Sequence, residues 1–229
     1  MTDQITLTAA EISFLVAAVD PASQTVAADL VGLTPEERTG PVKAAGLASL
    51  TARGLAAPAG ENVHLAGPAA AVATGLTQAT MIIQLGLVAA NPERADGTMI
   101  FANETVRFLI APRLNRCYDI TGLDRTRDLR EPILHVVQTF LAQHRPGVAS
   151  LRIEHGPDPA TLGRRLITTA TDLAPGFGWV TVGVGPDNTW TFADVFEQDA
   201  RNGDQAQALG RLRRVLSDLL DLPVGSPAV

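Results

Sequence analysis

One cysteine in 229 residues, Cys117, cannot close a disulfide within the chain. Four histidines without cysteine partners leave no common structural zinc set. Lys43 is the single lysine among 18 basic residues, so no G-x-x-x-x-G-K-[ST] phosphate loop exists. That scarcity, with the abundance of alanine and arginine, reflects a GC-rich genome and not a mechanism. No stretch reaches about 18 uninterrupted apolar residues, and Met1–Leu7 holds no basic segment ahead of an apolar core. Neither a transmembrane helix nor a signal peptide is therefore expected, and the expected location is the cytoplasm. Positive charge is also short: Lys+Arg 18 against Asp+Glu 24 gives −6 and a pI near 5.2. That balance opposes binding to nucleic acid or to an anionic membrane surface, both of which need a favourable net field.

What is present is apolar surface. Hydrophobic residues make up 46% and mean hydropathy is +0.14, too high for a disordered chain, with 20 Gly and 15 Pro spread without period. The length allows one large domain or two small ones.

Residues 1–78 read as helices with one ribbon. Thr8 with Glu11 forms a capping-box pattern, and Ile12, Leu15, Val16 and Val19 follow at helical spacing up to Asp20-Pro21. A second helix is expected over Gln24–Val31, ending at Gly32. A third starts near Pro35 or Pro41 and stops at Arg53-Gly54. Residues 54–56 and 63–65 flank a turn at 59–62, which predicts a small wing, and a further helix runs over Pro68–Leu76. Three helices and a wing make a winged-helix pattern.

The period changes at about residue 79. Met81–Ala89, Thr98–Asn103, Thr105–Ala111 and Asn115–Ile120 are rich in β-formers and parted by turn signals, predicting an antiparallel meander. A helix over Asp128–Gln143, a strand over Ser150–His155, a helix over Pro159–Leu173, strands over Gly178–Val184 and Thr189–Ala193, and a helix over Asp204–Leu222 follow. The expected fold is α+β: a winged-helix-like region over 1–78, then an antiparallel sheet covered by helices over 79–229. Leu209, Leu212, Leu216, Leu219 and Leu220 form one stripe on the last helix, read as docked on the sheet.

Catalytic patterns are sparse. Gly176, Gly178, Gly183 and Gly185 do not match G-x-G-x-x-G and lead into a strand, so they read as hairpin turns. No G-x-S-x-G occurs, and Ser150 opens a strand. Cys117 reads as a small buried or half-buried strand residue, His135 as a core histidine, and Asp158 as a helix cap. No cofactor or metal is expected. The most unusual stretch is 112–132, where Arg113, Arg116, Arg125, Arg127 and Arg130 interleave with Asp119, Asp124, Asp128 and Glu131. Five guanidinium forks near one strand end could hold a partner's carboxylates or a phosphate, but the interleaved acids nearly cancel them and favour a solvated salt-bridged surface. These five arginines are the candidate partner-binding residues.

DNA binding by a winged helix needs basic residues on its third helix and wing. Residues 1–78 carry Arg38, Lys43 and Arg53 against seven acids, a balance of −4. A protein-interaction role fits that charge better.

The run from Gly46 to Leu55, Gly-Leu-Ala-Ser-Leu-Thr-Ala-Arg-Gly-Leu, followed by a short turn, Glu-Asn-Val-His-Leu and a small helix, resembles the N-terminal part of EspG-type proteins of the actinobacterial type VII (ESX) secretion systems. The meander from Met81, the Asp96-Gly97 turn, the Tyr118 strand and the helix over 128–143 follow that family's order of elements. The resemblance spans most of the chain and assigns no role to an individual residue. It implies a cytosolic chaperone that binds a secreted protein by shape, without catalysis or cofactor. The expected function is thus a non-catalytic binding or adaptor protein of that kind. The alternative is a winged-helix transcriptional regulator with a C-terminal ligand-sensing domain.

Overall fold

The computed structural model describes residues 4–19, 21–60, 62–90, 95–171, 179–194 and 201–221. The chain begins with β1 (Gln4–Thr8), α1 (Ala9–Ala17), α2 (Pro21–Leu30), a 3-10 turn over Glu36–Arg38, and α3 (Gly40–Ala52). A ribbon of β2 (Ala56–Ala59) and β3 (Asn62–Leu65) follows, then α4 (Gly67–Gln78). The expected three helices and wing are present. What the sequence reading did not contain is β1, which joins the main sheet through β7 (Cys117–Gly122).

Thr8 serves both as the last residue of β1 and as the cap of α1. Its hydroxyl accepts from the Glu11 N–H, and the Glu11 carboxylate accepts from the Thr8 N–H at 2.7 Å. Glu11 is fully buried and also accepts from Ser49 Oγ at 2.8 Å and Arg53 Nη1 at 2.8 and 2.9 Å. Burial pushes its carboxyl up, but the Thr8 N–H, the Ser49 hydroxyl and the Arg53 guanidinium outweigh that and hold it below the usual carboxylate range. Arg53 therefore ties α3 to the β1–α1 junction. The helices touch closely here, since a Cβ on Gly46 of α3 would lie 2.0 Å from the Ala10 carbonyl oxygen.

The main sheet has nine antiparallel strands in the order β1-β7-β6-β5-β4-β8-β9-β10-β11. One meander runs β4 (Met81–Ala89), β5 (Ala95–Ala102), β6 (Arg107–Pro112), β7, and ends in α5 (Arg130–Gln143). The chain then returns to the other side of β4. There β8 (Gly147–His155), α6 (Pro159–Thr171), β9 (Trp179–Val184), β10 (Trp190–Asp194) and β11 (Arg201–Gly203) lead to α7 (Gln205–Leu220). Each half thus holds four strands and closes on a helix, with α6 inserted after β8 in the second and β1 added at the edge of the first, and the halves meet along the β4–β8 pair. The fold is α+β.

Alternation along the strands gives the sheet two apolar faces. On the first, α1 to α4 and α6 bury Leu7, Ile12, Leu15, Leu76, Phe101, Phe108, Tyr118, Leu162 and Leu166 in one cluster. Phe101 and Phe108 stack at 5.4 Å, and α4 approaches them through Gly75, where a Cβ would sit 2.3 Å from Phe108 Cε1. Below α6, Arg152 and Glu154 form a buried pair at 2.8 Å, with Arg152 also donating to the Leu166 and Arg165 carbonyls. On the second face, α5 and α7 cover Leu151, Ile153, Val180, Val182, Trp190 and Phe192. The leucine stripe of α7 docks there as expected: Leu212, Leu216 and Leu219 are buried, joined by Ala208 and Val215. Among the described residues no helix is long and apolar enough to cross a membrane.

Candidate binding groove

The second face is not covered throughout. A row of paired residues crosses six strands, Ile153–Ile83–Ile100–Leu109–Thr121–Gln4. Along it the side chains pass from buried at Ile153, Ile83 and Ile100, to half-buried at Leu109 and Thr121, to exposed at Gln4. The gradient arises because α5 packs against β8 and α7. Ile83, Leu85 and Ile100 remain buried in the cluster that includes α5, while Leu109 of β6 is left half-buried beside it.

The result is a groove of about 880 Å³. Ile83, Leu85, Ile100 and Leu109 form its floor, and Leu129, Pro132, Ile133 and Val136 of α5 form one wall. Val136, 39% exposed, is one of few large apolar side chains left open on the described surface. One end is closed by residues 123–129, which carry the chain from β7 to α5. Arg107 Nη1 pins this loop by donating to the carbonyls of Asp124 (3.3 Å) and Arg127 (2.8 Å), and the Leu123 N–H donates to the Arg107 carbonyl. Asp124, Arg127 and Asp128 give that end its charge. Asp124 accepts from the Thr126 hydroxyl and N–H, which hold its carboxyl below the usual range.

The five candidate arginines do not converge. Arg113 and Arg116 lie on the β6–β7 hairpin, and Arg125, Arg127 and Arg130 lie beyond the other end of β7. A six-residue strand separates the two sets by roughly 20 Å. Arg113 pairs with Asp119 at 2.5 Å, and Thr6 donates to the same carboxylate, so that its carboxyl is held down first by Arg113. Arg116, at φ +59°, pairs with Glu37 and donates to the Gly32 carbonyl at 3.0 Å. Between them Leu114 is 99% exposed at the hairpin tip. Arg125 donates to the Glu104 carbonyl, and Arg130 pairs with Asp221 at 2.7 Å. The Arg127 side chain is 83% exposed, with Asp124 at 3.5 Å as its ion-pair partner. It alone also lines the groove.

Other expectations were corrected or sharpened. His135 is exposed on α5 and not part of the core. The buried histidine is His155, whose Nε2 meets the Leu219 carbonyl at 2.9 Å. Burial lowers its basicity more than the Leu219 carbonyl and Glu154 raise it. Asp158 caps α6 by accepting from Thr161, as expected, and Cys117 is half-buried. Gly183 and Gly185 lie in or beside the β9–β10 hairpin, while Gly176 and Gly178 fall outside the described residues. Among the described residues no three His, Cys, Asp or Glu side chains are grouped to hold a metal. The outer surface of α3 presents Ala44, Ala45, Ala48, Thr51 and Ala52, and the wing has no basic residue.

No protein-family model matches the chain, and no curated protein matches it either.

Proposed function

We propose that this chain is a non-catalytic binding protein that holds an apolar segment of a protein partner in the groove between α5 and strands β4 to β6. The observation that carries the reading is the groove itself: a concave apolar floor on a rigid sheet, one helical wall, and charge confined to one end. That layout suits an amphipathic segment laid along the wall, its apolar side down and its polar side in water. The sequence resemblance to EspG-type chaperones supports the same class and suggests a secreted protein as the partner. In this reading Arg127 orients the segment at the charged end, Arg116 holds the β6–β7 hairpin against the Glu37 turn, and Arg113 pairs with Asp119 within the hairpin. The regulator alternative is less well supported, because α3 offers exposed alanines with the single Lys43, and the wing sequence holds Glu61 and no lysine or arginine to counter phosphates.

The test is co-purification from the native source by wild type, Leu109→Glu and Val136→Glu. Proteins retained by wild type and by Arg113→Glu, but lost from both groove variants at unchanged melting temperature, support the reading. Retention by all four sinks it, and tight competitor-resistant DNA binding would favour the regulator.

A further inference from the structure

Every element that shapes the charged end of the groove meets at one end of the sheet. There β4 starts, β8 ends at His155, α5 starts, and α7 stops at Leu220. Asp221 is fixed at this corner by Arg130, one residue past the groove wall at Leu129. The eight residues that follow in the sequence are Leu222-Pro-Val-Gly-Ser-Pro-Ala-Val229. They carry no charged side chain, and Leu222, Val224, Ala228 and Val229 are apolar. Pro223 and Pro227 disfavour a helix and bias their neighbours to extended backbone.

We propose that segment 222–229 occupies the groove when no partner is bound, as an intramolecular competitor. The inference rests on the groove being the partner site, and it assigns that site a regulator. Reach permits it: eight extended residues span roughly 26 Å, whereas α5 rises only about 9 Å from Arg130 to Val136. Chemistry favours it, because an uncharged segment enters an apolar floor without stripping water from an ion. Alternation in an extended segment sets Leu222 and Val224 on one side, at the spacing of successive floor positions such as Ile83 and Leu85. A short tether supplies an effective concentration on the order of millimolar. Even a weak segment then holds the groove about half the time and weakens any competitor about twofold.

A photo-reactive benzoylphenylalanine at Val224 of the full chain, irradiated at submicromolar concentration, should link to Ile100, Leu109 or Val136. Links to any other surface, links between two chains, or no link to β5, β6 or α5 overturn the proposal. A chain ending at Asp221 should bind the apolar dye bis-ANS about twofold or more tightly than the full chain, by the same occupancy argument. Millimolar peptide Leu-Pro-Val-Gly-Ser-Pro-Ala-Val should reverse the gain. Equal dye affinity of the two chains also overturns it. Links into the groove with partner binding intact in Val136→Glu would refute the proposed function and the competitor role, and leave only the segment's seat in the groove. Links elsewhere with partner binding lost in Val136→Glu would refute this inference and leave the proposed function standing.

Discussion

The two halves of the sheet each close on a helix laid over the second face, α5 after β7 and α7 after β11, yet those helices do different things. In the second half, α7 lies on β9 and β10 and seals Val180, Val182, Trp190 and Phe192 beneath Leu212, Val215 and Leu216, with Arg211 over the Phe192 ring at 5.8 Å. It is fastened to the first half by Asp221–Arg130 and Arg213–Glu131, and to the end of β8 by the Leu219 carbonyl on His155. In the first half, α5 is drawn toward β8 and α7, and its Pro132 and Val136 side looks across open strands. One arrangement closes a core and the other forgoes apolar burial to keep a groove. Binding surface here is thus made by where a helix is seated and not by any unusual residue.

That contrast can be broken most sharply by leucine truncation. Leu216→Ala and Leu212→Ala, both fully buried under α7, should each cost about 2 to 5 kcal/mol from lost transfer energy and an unfilled cavity. Leu109→Ala, half-buried on the groove floor, should cost roughly 1 kcal/mol because it opens no cavity. Urea melts measure all three, and equal losses would mean that the groove is closed in solution. The first face should be less forgiving than the groove in the other sense. Gly75→Ala places a Cβ against Phe108 and should destabilise by about 1 to 3 kcal/mol through overpacking. A neutral result would show that α4 can slide off the stacked phenylalanines.

A smaller effect concerns the fastening of α7. His155 has a lowered pKa because its burial disfavours the charged ring. The unfolded chain therefore takes up its proton first, near pH 6.5, and stability falls as pH drops below that value toward the folded pKa. His155→Gln keeps a donor for the Leu219 carbonyl and should flatten this part of the stability profile. An identical pH dependence in variant and wild type would remove His155 as its source.

Much of this architecture was legible because local signals agreed. Thr8 with Glu11 marks α1, and the apolar run Met81–Ala89 gives β4 at the observed bounds. The strand β1 escaped because five alternating residues are few and their pairing partner β7 lies far along the chain, and β11 is only three residues long. His135 was misplaced although its spacing held the answer: two positions from both Ile133 and Val137, it lies on the far side of their helix. The arginines are close in sequence, but a strand runs between them and parts them. The groove was not legible, since Ile83, Leu85 and Ile100 are buried strand residues like any others and the opening beside them depends on where α5 settles. Val136 beside Val137 was the available hint, an apolar arc wider than one contact surface needs.

The smallest expected effect on stability is also the one that decides whether the open half is a working surface. Val136→Glu replaces a side chain 39% exposed at the groove wall, where water already reaches the Cβ and the new carboxylate stays hydrated. Surface changes of this kind shift stability by about 0.5 kcal/mol or less. The same carboxylate points over the apolar floor, so any apolar segment laid there must either strip its water or stand away from Ile100 and Leu109. A partner held by this groove should therefore lose most of its affinity to a variant whose melting temperature is unchanged. The equivalent change on the sealed side, Leu216→Glu, should unfold the protein, because a buried carboxylate has no water and no partner beneath α7. If Val136→Glu instead unfolds the chain as Leu216→Glu does, α5 closes over β5 and β6 in solution and the two halves are alike after all.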